Sequence, residues 1–436
     1  MRIYYVLTAA LTAFSLIIGS GAMADGVGEP SEGAPLTSLA IDPELKPLAL
    51  YDKTYEEEVY DGDTLLVQGR RVELCLGDWI DGPLWGEKTL PSLADALTRQ
   101  NQRENAAALK ASQEITEQAR TDAKERETNY FPYKVSNGLS VRRADNLALS
   151  YLLTQYQYSG GAHGYFGVQG VNLDATTGKA LRLSEVMEVS DYLTQVIIEK
   201  LQTKYNPKGF YENMPELVAK EVASESIVWS LGARGVTFYF NSYDIAPYAS
   251  GMLTVTIFFD ERPGFFKQKY LRGMADYAEY LLPGQAAAVY LNDNPGGQGS
   301  ELMADGEAGK MIIVLDGNHY EEEVGLKDIV PIFVHRADGA NFLYADGKNS
   351  QGEGEILIYD LAEKKPRFIG RVTRTFGQPD FSAAPGFTCH WLMTSPNYFR
   401  VNEFTPRDSK ILAARVAESG NMEIEVAEKT AGQTFR

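Results

Sequence analysis

Alternating apolar and polar residues predict a long β-hairpin at the start of the folded region. Residues 49–60 and 64–76 both have strand-like patterns, and Asp61-Gly62 between them favours a two-residue hairpin turn. Glutamates occupy positions 56 to 58, inside the first strand. A solvated edge explains them better than a catalytic pair of carboxylates, because charge on an edge strand discourages pairing with another sheet.

Helical periodicity begins at Pro91 and continues to about residue 127. Ser92 and Asp95 have the spacing of a capping box. A narrow apolar stripe runs through the segment, and the remaining positions are mostly polar. We therefore expect a long helix that packs along one side and lies on a surface.

Strand patterns return at residues 139–158 and 165–174. Two shorter helices are predicted from Ser190 and Pro215, followed by a hairpin and by the most strand-like run of the chain at 252–259. This order of elements predicts the α+β class, with helices packed on an antiparallel sheet.

A mostly β module is predicted at the C-terminal end. Residues 292–299 contain turn formers and no apolar side chain, which is typical of a linker. Short strands follow at 311–315, 330–335, 355–359, 367–372 and 411–416. Asp-Gly pairs at Asp305, Asp316, Asp338 and Asp346 are interpreted as turns between strands.

The first 24 residues have the pattern of a signal peptide. Arg2 precedes an uncharged apolar run, and Ala22-Met23-Ala24 provides small residues before acidic Asp25. We expect cleavage after Ala24, no membrane span afterwards, and export to the periplasm, the cell envelope or the medium. An uncleaved anchor is the alternative, because the apolar run is close to membrane-spanning length.

These patterns divide the chain into six predicted segments. They are a signal peptide (1–24), a flexible leader (25–47), a first α+β segment (48–138), a second α+β domain (139–284), a linker (285–310) and a β-rich module (311–436).

The net charge limits the choice of partners. The chain has 41 basic and 59 acidic side chains, a formal charge of −18, and loss of Arg2 with the signal peptide brings it to −19. A protein this acidic repels phosphate backbones, so we expect no nucleic-acid partner. The same field attracts cationic partners.

Local motifs predict no catalytic, metal or cofactor site. The four histidines (His163, His319, His335 and His390) lack metal-ligand spacing, and Cys-x-x-Cys, Gly-x-Ser-x-Gly and phosphate-binding motifs are absent from the sequence. Cys75 and Cys389 are a candidate disulfide in an oxidising compartment. They could equally be buried apolar side chains that never meet.

Two loops have unusual chemistry. Residues 158–164 (Tyr-Ser-Gly-Gly-Ala-His-Gly) allow close backbone approach, and residues 243–251 combine two tyrosines with a proline. Three interpretations are open: structural corners, a binding surface, or catalysis by His163 with Asp244. The candidate binding residues are Tyr158, Gly160, Gly161, His163, Tyr243, Asp244, Pro247 and Tyr248.

The two loops resemble an exported domain of unknown function found in the RsiV anti-sigma factor and in the N-terminal region of the peptidoglycan deacetylase PdaC. The matching segments are residues 158–164, the turn 174–179, residues 240–251 and the strand 252–259. The resemblance extends over about residues 48–270 and implies an α+β fold with helices against an antiparallel sheet.

The resemblance also implies a binding role outside the cytoplasm. In RsiV the domain recognises lysozyme, and in PdaC the hydrolytic chemistry belongs to a separate domain. The leading hypothesis is therefore a non-enzymatic envelope protein that recognises a basic protein such as lysozyme, or a cell-wall component. The alternatives are an envelope glycan hydrolase or deacetylase accessory, and a structural envelope protein.

Overall fold

In its described residues the structure combines four α-helices with a large proportion of β-strand. It is a computed structural model that describes residues 39–77, 86–126, 130–291, 299–307, 309–362, 365–374, 386–396, 399–401, 410–416 and 422–427. The helices are α1 (Pro91–Arg126), α2 (Leu183–Val186), α3 (Asp191–Lys204) and α4 (Met214–Ala223).

The strands number 23 in the described residues. They are β1 (Ala40–Ile41), β2 (Leu50–Asp61), β3 (Thr64–Leu76), β4 (Tyr133–Ala144), β5 (Ala148–Tyr158), β6 (Tyr165–Asp174), β7 (Val228–Leu231), β8 (Gly235–Phe240), β9 (Leu253–Phe258), β10 (Arg272–Gly273), β11 (Tyr277–Tyr280), β12 (Ala287–Val289), β13 (Ser300–Glu307), β14 (Lys310–Leu315), β15 (Asn318–Glu323), β16 (Lys327–His335), β17 (Asn341–Lys348), β18 (Gly354–Asp360), β19 (Arg367–Arg374), β20 (Thr388–Trp391), β21 (Phe399–Val401), β22 (Lys410–Val416) and β23 (Met422–Ala427).

A six-stranded sheet with the order β20-β2-β3-β4-β5-β6 forms the first half of the fold. The predicted hairpin is confirmed as β2 and β3, which turn at Gly62 with a φ of +58°. β3 and β4 are parallel, because the connection between them contains α1, and the strands from β4 to β6 are antiparallel. The predicted α+β class is confirmed.

Helix α1 lies along the part of β3 that β4 does not cover, since β4 pairs only with residues 67–70 of β3. The Asn101 side chain accepts from the Leu74 N–H at 3.3 Å and donates to the Leu74 carbonyl at 2.9 Å. Its amide therefore occupies the place of a neighbouring strand. Leu93 and Leu97 of α1 are buried in the same core cluster as Leu74.

A three-stranded sheet, β7-β8-β9, carries helices α3 and α4. The predicted helix start at Ser190 is confirmed, because its side chain caps α3 by accepting from the Leu193 N–H. Pro215 stands in the first turn of α4, also as predicted. Ile197 and Val218 are fully buried in the same core as Phe238.

The C-terminal region contains two further antiparallel sheets, β11-β16-β17-β18-β19 and β12-β13-β14-β15, and the small sheet β21-β22-β23. The predicted β-rich module is confirmed in this respect. Strand β20 does not join these sheets but pairs with β2 of the six-stranded sheet, where Tyr51 lies opposite Trp391. A strand from the C-terminal region thus completes the first sheet, next to β2.

The end of the expected flexible leader is ordered, which corrects the prediction for residues 39–47. β1 pairs in parallel with β10, and the Asp42 carboxylate lies 2.8 Å from the Arg272 guanidinium. Leu45 is buried in the core. The composition of residues 25–47, rich in Gly, Pro and Ser, predicts flexibility and does not reveal the few side chains that attach its end to the fold. Residues 25–38 and the predicted signal peptide lie outside the described residues.

Two predicted domain borders fall on regular structure. The border between residues 138 and 139 lies inside β4, and the predicted linker 285–310 contains β12 and β13. Because β13 pairs with β14, these parts of the linker belong to a sheet. Residues 292–298 of the linker lie outside the described residues.

Two of the four predicted Asp-Gly turns are wrong. Asp316 and Asp338 stand at turns, but Asp305-Gly306 lies within β13 and Asp346-Gly347 within β17. A Cβ on Gly306 would collide with the Ile329 side chain. These glycines therefore allow close packing against β16 rather than reversing the chain.

Within the described residues, no helix is both long and apolar enough to cross a lipid bilayer.

Candidate binding site

Two loops bring the candidate residues together. Loop A is defined as residues 158–164, between β5 and β6, and loop B as residues 241–251, between β8 and β9. The Asn241 amide attaches loop B to β6, since it accepts from the Val168 N–H at 2.8 Å and donates to the Val168 carbonyl at 3.2 Å. Sequence reasoning missed Asn241, because nothing local indicates a partner 73 positions away.

Tyr248 of loop B makes the direct contact with loop A. Its ring stacks on the imidazole of His163, with the centroids 3.9 Å apart and an interplanar angle of 17°. Its hydroxyl donates to the Gly164 carbonyl at 2.6 Å. Tyr243 adds a third ring, with its centroid 5.7 Å from that of Tyr248. A stacked ring with a hydrogen-bonded tip is fixed in position, so the three rings form a defined patch.

The glycines of loop A allow the chain to turn beneath aromatic rings. Gly160 and Gly161 have φ values of +86° and +91°, which side chains larger than hydrogen rarely adopt. A Cβ on Gly160 would lie 3.1 Å from the Tyr133 hydroxyl, and one on Gly164 would lie 2.6 Å from the Tyr156 ring. The glycine-rich sequence is thus required by the packing of the loop.

A second set of rings supports loop A from below. The Tyr158 ring meets the Tyr133 ring edge to face, with centroids 6.3 Å apart, and Tyr133 stacks on Tyr130. The Tyr158 hydroxyl donates to the Gly161 carbonyl at 3.3 Å. The Tyr133 hydroxyl donates to Asp122 of α1, which connects the loop to the long helix. Tyr158 therefore has mainly a supporting position.

The patch is open to solvent. Tyr243 is 55% exposed and has an unusual φ of +77°, His163 and Pro247 are exposed, and Tyr248 is half-buried. We name these four residues the two-loop surface. A left-handed backbone is uncommon for a residue with a large side chain, and an exposed aromatic ring forgoes the stabilisation that burial would give.

One half-buried carboxylate, Asp244, belongs to loop B, and a second, Glu221, lies near it. The Asp244 carboxylate accepts from the Asn241 N–H at 2.6 Å, and burial raises the pKa of Asp244. The pKa of Glu221 on α4 is also raised, first by burial and then by the charge of Asp244. Among the described residues neither carboxylate has an ion-pair partner. They leave negative charge close to the two-loop surface.

The geometry does not form the acid–base pair considered for catalysis. His163 Nδ1 lies 3.2 Å from the Gly164 carbonyl oxygen, and the ring face is covered by Tyr248. In the described part of the chain, no hydrogen bond joins His163 to Asp244. A general acid or base needs such a partner, or a substrate proton, within hydrogen-bond reach. The described residues contain no group of three or more His, Cys, Asp or Glu side chains that could hold a metal ion.

The turn 174–179, the third matching segment, supports the fold. Asp174 accepts from the N–H and the hydroxyl of Thr177, and its other oxygen accepts from Lys269 at 2.7 Å. Gly178, with a φ of +66°, packs directly on the Ser92 carbonyl at the start of α1. This motif joins β6 to the long helix and does not reach the two-loop surface.

The strand order contradicts the candidate disulfide between Cys75 and Cys389. Cys75 on β3 and Cys389 on β20 are both free thiols, and β2 lies between them. Strands two places apart are separated by about 9.6 Å, beyond the Cα separation of about 7 Å that a disulfide spans. Burial raises the pKa of Cys75 to about 11 and that of Cys389 to about 12, so both are poor nucleophiles.

The two loops of the site lie in regions that match two different family models. The family described as "Deacetylase PdaC" matches residues 90–165, and the family described as "Protein of unknown function (DUF3298)" matches residues 187–260. Loop A lies in the first match and loop B in the second. The chain therefore carries a PdaC-type region followed by a DUF3298-type region, as the motif resemblance predicts. These regions indicate an envelope-associated domain of unknown function.

Two solved structures are similar to part of the chain. A member of the DUF3298 family from Bacteroides fragilis NCTC 9343 has 16% identity and a TM-score of 0.36, covering 51% of this chain and 96% of that one. A DUF3298 family protein from Pseudomonas aeruginosa PAO1 has 16% identity and a TM-score of 0.34, covering 52% and 97%. The comparison with curated proteins found no match.

Proposed function

We propose that this protein is an exported, non-enzymatic binding protein of the cell envelope, and that the two-loop surface contacts its ligand. The contact between Tyr248 and loop A is the main observation that supports this proposal. It holds exposed rings in one arrangement, using one loop from each family region. Pre-positioned rings lose little side-chain entropy on binding, which favours a recognition role over a purely structural one.

A basic protein is the partner that the chemistry favours. Aromatic faces attract Lys and Arg side chains, and Asp244 and Glu221 add negative charge behind the rings without an ion-pair partner among the described residues. The net charge of −18 attracts a cationic protein over a longer range. Lysozyme, the ligand implied by the RsiV resemblance, is the first candidate. A cell-wall glycan is the second, because sugar rings could pack on the same exposed faces.

Titration of the purified protein with lysozyme tests this proposal. We expect binding at low salt that weakens at moderate salt, since screening shortens the range of the attraction. Tyr243→Ala should weaken binding at least tenfold, as loss of an aromatic anchor commonly does. Tyr60→Ala is the matched control, because Tyr60 is 52% exposed but lies at the β2–β3 hairpin.

The outcomes separate the two ligands. Binding of peptidoglycan fragments that is insensitive to salt and is lost in Tyr243→Ala would favour the glycan. Equal binding by Tyr243→Ala and the wild type would exclude the two-loop surface as the ligand site.

A further inference from the structure

We propose that His335 makes the junction between the β7–β8 turn and the five-stranded sheet β11-β16-β17-β18-β19 sensitive to acid. His335 ends β16 and is 4% exposed, and Arg234 lies in the turn that connects β7 with β8. The two side chains meet across this junction, where Arg234 Nη2 lies 3.3 Å from His335 Nε2. The binding role of the two loops is not needed for this proposal.

The hydrogen bonds determine which nitrogen of His335 carries its proton. The Asn341 Nδ2 group donates to the Gly339 carbonyl at 3.2 Å, so its Oδ1 atom faces His335 Nδ1, 2.8 Å away. Nδ1 must therefore be the donor. Arg234 can only donate, which makes Nε2 the acceptor. Both nitrogens of the neutral ring are thus satisfied.

A second proton on His335 would break this arrangement. The new N–H at Nε2 would face an N–H of the Arg234 guanidinium, so the hydrogen bond would be lost and two positive charges would lie in contact. Burial lowers the pKa of His335, the hydrogen bond with Asn341 raises it, and the charge of Arg234 lowers it again, so the net shift is downward. The ring lies against Tyr277, with centroids 5.0 Å apart, and Arg234 also covers Tyr277.

The acidic groups around this junction are bound elsewhere. Asp276 accepts from the Ala337 N–H, and Asp338 accepts from the Ala340 N–H. Both raise the pKa of His335, but they do so less than burial lowers it. Glu279 of β11 accepts from the Ala233 N–H in the turn. Among the described residues, the charged and titratable groups that face His335 include Arg234, Asp276, Tyr277 and Asp338, with Glu279 beside them.

The direction of the pH effect follows from the lowered pKa. Above about pH 6.5, His335 is neutral in the folded and the unfolded chain, and it contributes nothing to the pH dependence. Below that pH the unfolded chain binds the proton and the folded chain does not, so stability falls until the folded pKa is reached. The unfolding equilibrium constant should rise by up to about tenfold between pH 7.5 and 5.5 from this residue alone.

Urea unfolding of the full chain between pH 7.5 and 5.5 tests the proposal. His335→Gln keeps a hydrogen-bonding side chain but does not titrate, so the rise should be smaller than in the wild type by up to about tenfold. His319→Gln is the control, since His319 is exposed on β15 and should leave the wild-type rise unchanged. The same rise in His335→Gln as in the wild type would overturn the proposal.

A measurement on the unaltered protein covers the case in which His335→Gln does not fold. Long-range nitrogen–proton NMR spectra should show one histidine with its proton on Nδ1 that stays neutral at pH 6. If all histidines titrate near pH 6.5 or above, the proposal is overturned.

Discussion

The ring of Tyr248 stacks on the ring of His163 with 3.9 Å between their centroids. The Tyr248 hydroxyl donates to the carbonyl of Gly164, 84 positions earlier, so one side chain of loop B makes two contacts with loop A. Each loop comes from a different family region, so the contact exists only when both regions fold together. The arrangement of the exposed rings depends on this contact together with the hydrogen bonds of Asn241 to Val168.

Tyr248→Phe should lower the free energy of unfolding by about 1 kcal/mol, because it removes the hydrogen bond to Gly164 and keeps the stacked ring. Tyr248→Ala should cost about 1 kcal/mol more, since it also removes the stacked ring. Urea unfolding measures both. Tyr60→Phe is the control and should change stability by less than about 0.5 kcal/mol. An equal loss in the two Tyr248 variants would show that the stacking contributes nothing.

Asn101→Ala should destabilise the protein by about 1–3 kcal/mol. The variant leaves both backbone groups of Leu74 at the edge of β3 without the amide that now bonds them. Gln102→Ala is the matched control, because Gln102 is exposed on the next position of the same helix. Hydrogen exchange at Leu74 should also become faster in Asn101→Ala, and unchanged exchange would contradict the role given to this side chain.

Gly347→Ala should destabilise by about 1–3 kcal/mol, because the new Cβ would lie 2.9 Å from the Lys327 carbonyl oxygen. Gly370→Ala is a control in the neighbouring part of the same sheet, where a Cβ meets nothing within 4 Å. Thermal unfolding should separate the two variants. Similar melting temperatures would mean that β16 can move away from β17 at little cost.

Both cysteines should remain reduced in protein recovered from an oxidising compartment. The physical reason is the intervening strand β2. Thiol titration should find two free thiols after denaturation and slow modification before it, because the raised pKa values keep the thiols protonated. An unfolding midpoint that shifts when reductant is added would indicate a disulfide instead.

The elements predicted correctly from the sequence are those with local signals. Asp61-Gly62 determines the first hairpin, and the polar surface and apolar stripe of residues 91–126 determine α1. The pairing of β20 with β2 joins residues more than 330 positions apart, and no local pattern contains that information. Asp346-Gly347 has the composition of a turn, yet its glycine is required by the approach of Lys327.

In the candidate site, too, the local sequence predicts the residues but not the contacts between distant parts of the chain. The unusual composition of each loop predicts His163, Tyr243 and Tyr248 as site residues. Their meeting depends on the Asn241 amide and on Val168 of β6, a contact that only the folded structure provides. The proposed acid-sensitive contact of His335 likewise depends on Arg234, 101 positions earlier in the chain.

Hydrogen exchange of the protein with and without lysozyme at low salt tests the central claim most directly. The account predicts slower exchange in residues 158–164 and 241–251, and loss of that protection in Tyr243→Ala. Protection confined to another acidic region, such as β15 with its glutamates 321 to 323, or no protection at all, would contradict it.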